Sequence, residues 1–187
     1  MLFPHLWYAL QISTRCSGLS EKLLLQKGYD VFVPKYMTRT RRSNALTESP
    51  LFPSYLFCRI TSYSYGKILG TPGVIRVVGY GHTPVAIPDS EIDCLAQLAS
   101  SPVLTMPCAY IPAGTTVRIE TGPLRGLEGL LVRAGNARKL IVSVSLLRRS
   151  IAATLDVDTM LTPLIAADLR SNRATIDATL AKVDIVD

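Results

Sequence analysis

The stretch Pro50-Leu51-Phe52-Pro53-Ser54-Tyr55-Leu56-Phe57-Cys58-Arg59-Ile60 constrains the fold more than any other part of the chain. Pro50 and Pro53 fix φ and remove two backbone donors, so a strand begins only at about Ser54. From there Tyr55, Phe57 and Arg59 point to one side and Leu56 and Cys58 to the other. Large side chains on both sides leave two readings open: the strand is sandwiched between layers, or its aromatic side is offered to a partner.

The flanking sequence supplies a domain for this strand. Trp7 to Ile12 alternates as a first strand. A helix follows, with Ser17 or Ser20 as its cap, Glu21 at its positive end, Leu19 and Leu23 on one face, and Gly28 as its stop. Tyr29 to Val33 is a second strand, ended by Pro34. Lys35 to Ser49 is a basic loop or hairpin carrying Lys35, Arg39, Arg41 and Arg42, which reads either as a solvated segment or as a nucleic-acid contact. Ser62 to Leu69 is a short helix, Thr71-Pro72-Gly73 a turn and Val74 to Val78 a strand. Tyr80 stands as an exposed aromatic between Gly79 and Gly81. A helix starts at Pro88, Asp89 or Ser90 and runs to about Ala99, with Ile92, Leu95, Leu98 and Ala99 on one face. The order predicts, for residues 1–99, an α+β sandwich with a mainly antiparallel sheet.

Three prolines, at 102, 107 and 112, interrupt residues 100–112, which read as a linker. Beyond it the hydrophobic period becomes two. Thr116 to Glu120, Leu130 to Arg133, Leu140 to Val144 and Ile151 to Leu155 alternate between glycine-paced turns, so residues 113–162 predict a small β-barrel. In residues 163–187, Leu164 or Ile165, Leu169, Ile176, Leu180 and Val183 fall at helical spacing, predicting a C-terminal helix.

Composition narrows the function. Hydrophobic residues make up 48% of the chain, yet no apolar run approaches the roughly 20 residues of a membrane span. The start of the chain lacks the pattern of a signal peptide. Cys16, Cys58, Cys94 and Cys108 are far apart and form no Cys-x-x-Cys, as expected of buried thiols in a reducing cytoplasm. His5 and His82 sit at no recognisable triad or metal spacing, and the glycines form no phosphate-binding loop. The expectation is a monomeric, cytoplasmic binding protein, not an enzyme, without cofactor or metal. A net charge of +6 fits work near nucleic acid without a tight grip on it.

Trp7-Tyr8 opening a strand, Pro50 to Phe57, and Thr71-Pro72-Gly73-Val74 followed by a helix at Pro88 resemble the N-terminal (NGN) domain of NusG-type transcription factors. Val117 to Gly129, reading Val-Arg-Ile-Glu-Thr-Gly-Pro-Leu-Arg-Gly-Leu-Glu-Gly, resembles a KOW motif of an SH3-like barrel. The wording of Pro50 to Phe57 is closer to the specialised paralogue RfaH than to housekeeping NusG. The resemblance implies a transcription elongation or antitermination factor that docks on the β′ clamp helices of RNA polymerase, reaches the β gate loop, and suppresses pausing or termination. It implies that Tyr8, Phe52, Tyr55, Phe57 and Tyr80 occupy the family's aromatic positions, with Phe52, Phe57 and Tyr80 the strongest docking candidates. For the KOW domain it implies contacts to ribosomal protein S10 or to Rho through the loop holding Leu146, Leu147 and Arg149. Leu147 stands where NusG has an aromatic residue, which counts against Rho more than against S10.

Departures limit what carries over. The first helix presents Leu19, Leu23 and Gln26 where RfaH carries DNA-reading side chains, so a contact to non-template DNA comes without that sequence specificity. Tyr63 to Lys67 is shorter than the gate-loop segment of RfaH, and the Val- and Ile-rich second domain predicts a β-barrel at rest. Two alternatives remain. One is an RNA-binding ribosomal or assembly protein using Arg118, Arg125, Arg133, Arg138 and Lys139; the other is a Rho-dependent termination cofactor.

Overall fold

The computed structural model describes residues 5–40, 44–61, 65–81, 83–108, 110, 115–134 and 137–164. Its first sheet is built around β1 (Leu6–Ile12) and β5 (Tyr55–Ile60), which pair antiparallel from Leu6 opposite Ile60 to Gln11 opposite Tyr55. β2 (Asp30–Phe32) lies on the outer side of β5. On the other side of β1, β6 (Val74–Val77) pairs with its C-terminal half and β9 (Ala86–Ile87) with Trp7 and Tyr8. β5 is therefore internal, and its Leu56, Phe57, Cys58 and Ile60 are all buried. The sandwiched reading holds.

One face of this sheet carries Leu10, Ile12, Leu56, Cys58 and Ile60, covered by Leu24 of α1 (Ser17–Gln26) and Ile68 of α2 (Tyr65–Leu69). Fully burying such a side chain contributes about 1.5–3 kcal/mol. The helix α1 ends as expected: Gly28 has φ 82°, its N–H bonds to the Leu25 carbonyl, and Tyr29 N–H bonds to that of Leu24. This pairing satisfies carbonyls that the helix end would orphan.

Two expectations for α1 fail for one reason. The buried line runs through Ser20 and Leu24, with Leu19 exposed, and no side chain caps the N-terminus. Ser20 instead donates its Oγ proton to the Pro72 carbonyl at 2.8 Å, which turns the helix by about one residue, roughly 100°. The approach depends on Gly73, at φ 88°, where a Cβ would fall 2.6 Å from Cys16 Cβ. Gly73→Ala is expected to destabilise the first unit by about 1–3 kcal/mol in urea denaturation, the range for a forced overpacking.

The basic segment forms a hairpin of β3 (Lys35–Arg39) and β4 (Leu46–Pro50). A smaller one joins β7 (Gly79–Tyr80) to β8 (Thr83–Pro84). The helix α3 (Asp89–Ser100) buries Ile92, Leu95 and Leu98 as its spacing predicts. The chain divides into two compact units, Met1–Asp93 and Cys94–Asp187, the division falling inside α3.

The second unit is a six-stranded sheet in the order β10-β14-β13-β12-β11-β15. Its strands are β10 (Thr105–Cys108), β11 (Thr115–Ile119), β12 (Glu128–Ala134), β13 (Ala137–Val144), β14 (Arg149–Leu155) and β15 (Leu161–Pro163). Among the described residues every strand pairing, in both units, is antiparallel. Val117, Ile119, Leu140, Val142, Val144 and Ile151 are buried, with Leu124 and Leu127 of the glycine-paced turn.

Part of the segment read as a linker is structural: β10 pairs with β14. Pro107 is tolerated because β10 is an edge strand, where a missing N–H costs no ladder bond. The C-terminal stretch also begins differently from expectation, since Pro163 lies in β15 opposite Val117. The rest of the helix expected there, 165–187, lies outside the described residues.

Candidate functional site

Strand register decides which aromatic side chains share a surface. Tyr8 is opposite Cys58, whereas Trp7, Ala9 and Gln11 are opposite Arg59, Phe57 and Tyr55. Tyr8 therefore faces the α1 and α2 side, where it packs against the core and meets Tyr65 edge-on at 5.8 Å. Burial, and then a hydrogen bond with Tyr8, push the Tyr65 phenol above its ordinary pKa.

The opposite face carries the other aromatics, at three depths. Phe57 is 0% exposed, with Phe52 edge-on at 5.8 Å and Phe32 tilted at 6.1 Å; Phe52 itself is 3% exposed. These two favoured docking candidates are core residues, because β5 is covered on both faces. Tyr55 is half-buried beside Gln11, whose Oε1 accepts a 2.7 Å hydrogen bond from Arg76 Nε. At the other end, Arg59 lies 5.6 Å over the half-buried Trp7 ring and 3.4 Å from Asp89 at the start of α3. Arg59 Nε is buried with no hydrogen-bond partner. Trp7, Gln11 and Arg76 were not among the expected site residues. Alternation alone places Trp7 and Gln11 together, but their union with Tyr55 and Phe57 needs the register.

Tyr80 is 73% exposed at the tip of the small hairpin, as expected. The hairpin is anchored by Val78 N–H to the Ala9 carbonyl and closed by Val85 N–H to that of Val78. Gly79 has to be glycine, since a Cβ there would lie 2.7 Å from Pro84 Cα.

The basic candidates are less concentrated than the sequence implies. Lys35 Nζ is 3.7 Å from Glu21, and Arg39 donates to the Asn44 carbonyl at 3.0 Å. Arg41 and Arg42 lie outside the described residues. In the second unit Arg118 pairs with Glu128, and Arg138 donates to the carbonyls of Asp156 and Val157. Two of the five cations available to an RNA are thus engaged within the chain.

The expected partner loop splits as well. Leu147 is 7% exposed and belongs to the core, Leu146 is half-buried, and Arg148, at φ 48°, and Arg149 face solvent. Burial, with Asp30 nearby, pushes the Cys58 thiol up to about 12, which keeps it protonated and inert. Among the described residues no group of three or more His, Cys, Asp or Glu side chains is placed to hold a metal ion. None of the described helices is long and apolar enough to cross a membrane.

Residues 5–96 match the family model for the transcription termination factor nusG. The transcription termination/antitermination protein NusG of Rickettsia bellii (strain RML369-C) is 24% identical over 154 residues, 75% of this chain and 80% of that protein. A solved structure concerned with domain interaction in Thermotoga maritima NusG superposes with a TM-score of 0.50 at 20% identity, covering 79% of this chain and 92% of its own. At that identity the likeness is one of fold.

Proposed function

We propose that the chain works as a NusG-family transcription termination and antitermination factor, since residues 5–96 match that family's model, and that its first unit binds the β′ clamp helices of RNA polymerase. The observation that carries this reading is Tyr80, an apolar ring held 73% exposed by a hairpin tied to the central strand. An exposed aromatic whose backbone is already held by hydrogen bonds loses less entropy on binding than one on an unpaired loop and makes a good anchor. Half-buried Tyr55 and Trp7 offer further aromatic surface on one face of the β1–β5 pair, where buried Phe57 lies between them and packs on Phe52. Binding that bridges the clamp and the β gate loop would favour the closed, pause-resistant polymerase. In the second unit, Leu146 and Arg149 are the accessible contacts for a recruited partner such as ribosomal protein S10; buried Leu147 supports that unit from beneath.

The test is titration of the full chain onto a purified clamp-helix hairpin. A micromolar dissociation constant is expected, and a folded chain that shows no binding overturns the reading.

A further inference from the structure

The six-stranded sheet is apolar on both sides. Its inner face holds Leu140, Val142, Val144 and Ile151. On its outer face the register aligns Met106, Ala152, Ile141, Leu130 and Thr116 in one row across β10, β14, β13, β12 and β11. Ile141 and Ala152 are each 3% exposed, and they cluster with Val132, Met106, Cys108 and Leu130, all from the sheet itself. A sheet buried on both faces needs a covering layer on each. Among the described residues, no helix contributes to this outer cluster.

The shape of the face fits a helix. The outward residues of β14 are Ser150, Ala152 and Thr154, all small, and Ser143 and Ser150 satisfy each other at 2.6 Å. In the register they lie between Met106 and Cys108 of β10 on one side and Ile141 of β13 and Leu130 of β12 on the other. Small residues there let a helix approach closely.

The chain itself leaves the described fold at the end of the row. Leu164 donates its N–H to the carbonyl of Thr116 at 2.8 Å, and 23 residues follow. From β15 to β14 is four strand spacings, about 19 Å, which about six extended residues can cross. The remainder suffices for a helix of about 25 Å. In it Ile176, Leu180 and Val183 would form one stripe, flanked by Asp177 and Asp184. Lys139, opposite Thr154 and on the same outer face, offers the complementary charge.

We propose that the segment after Leu164 folds back as an amphipathic helix along β14 and covers this outer face in its own chain. A tethered segment has the advantage of high effective concentration over any free partner. The inference does not depend on polymerase binding.

Cys108, opposite Ser150 on the outer face, is the natural reporter, and its thiol is pushed up to about 11 chiefly by burial. The full chain and its Ile176→Asp/Leu180→Asp variant would be alkylated with a bulky maleimide at pH 8.5, with Cys108 followed by peptide mass spectrometry and Cys16 as internal reference. The variant should label Cys108 at least about fivefold faster, with Cys16 unchanged. Equal Cys108 rates overturn the proposal. A wild-type rate that rises on tenfold dilution assigns the cover to a second copy and overturns it too.

Discussion

Phe57→Ala is expected to lower the unfolding free energy of the first unit by about 3–5 kcal/mol, the usual cost of removing a fully buried ring. Phe57 is 0% exposed between Phe52 and Phe32, and its cross-strand neighbour on β1 is Ala9, too small to fill the space left behind on that side. The cavity should therefore persist. Trp7 is the single tryptophan and lies on the same face, so its fluorescence during urea denaturation reports on this unit alone. Were Phe57 a surface anchor, alanine would change stability by no more than about 0.5 kcal/mol. A midpoint unchanged in the variant would restore Phe57 to the docking surface.

Much of the strand and helix layout was legible because period, proline and glycine act locally. The start of β5 after Pro53, the stop of α1 at Gly28 and the apolar line of α3 follow from backbone constraints at those residues. What was not legible depends on neighbours distant in sequence. Alternation gives each strand two faces without saying which face meets which, so Tyr8 was grouped with Phe57 although the register sets them on opposite sides. Ser20 resembles a cap until the Pro72 carbonyl, 52 residues away, is seen to claim its hydroxyl. The prolines around β10 suggested a linker because the edge position that tolerates Pro107 exists only once β14 is beside it. Leu147 likewise matched a contact loop by position and proved to be core.

The same distinction between core and anchor sets the expected effect of Tyr80→Ala. Losing a ring that contacts only the partner should weaken clamp-helix binding by about 2 kcal/mol, or about 30-fold, and leave the Trp7-monitored midpoint where it was. Gly79→Ala provides an independent check with Tyr80 still present. Its added Cβ would press on Pro84 across the hairpin. β7 and β8 are only two residues each, so opening the hairpin relieves the clash more cheaply than unfolding the sheet behind it. The Val85 amide, which closes the hairpin on the Val78 carbonyl, should then exchange faster, and binding should fall toward the Tyr80→Ala level. Loss of Val85 protection with undiminished binding would show that the orientation of Tyr80 is irrelevant to docking. Tyr80→Ala binding as tightly as wild type would move the anchor off the hairpin, with half-buried Tyr55 and Trp7 the next candidates.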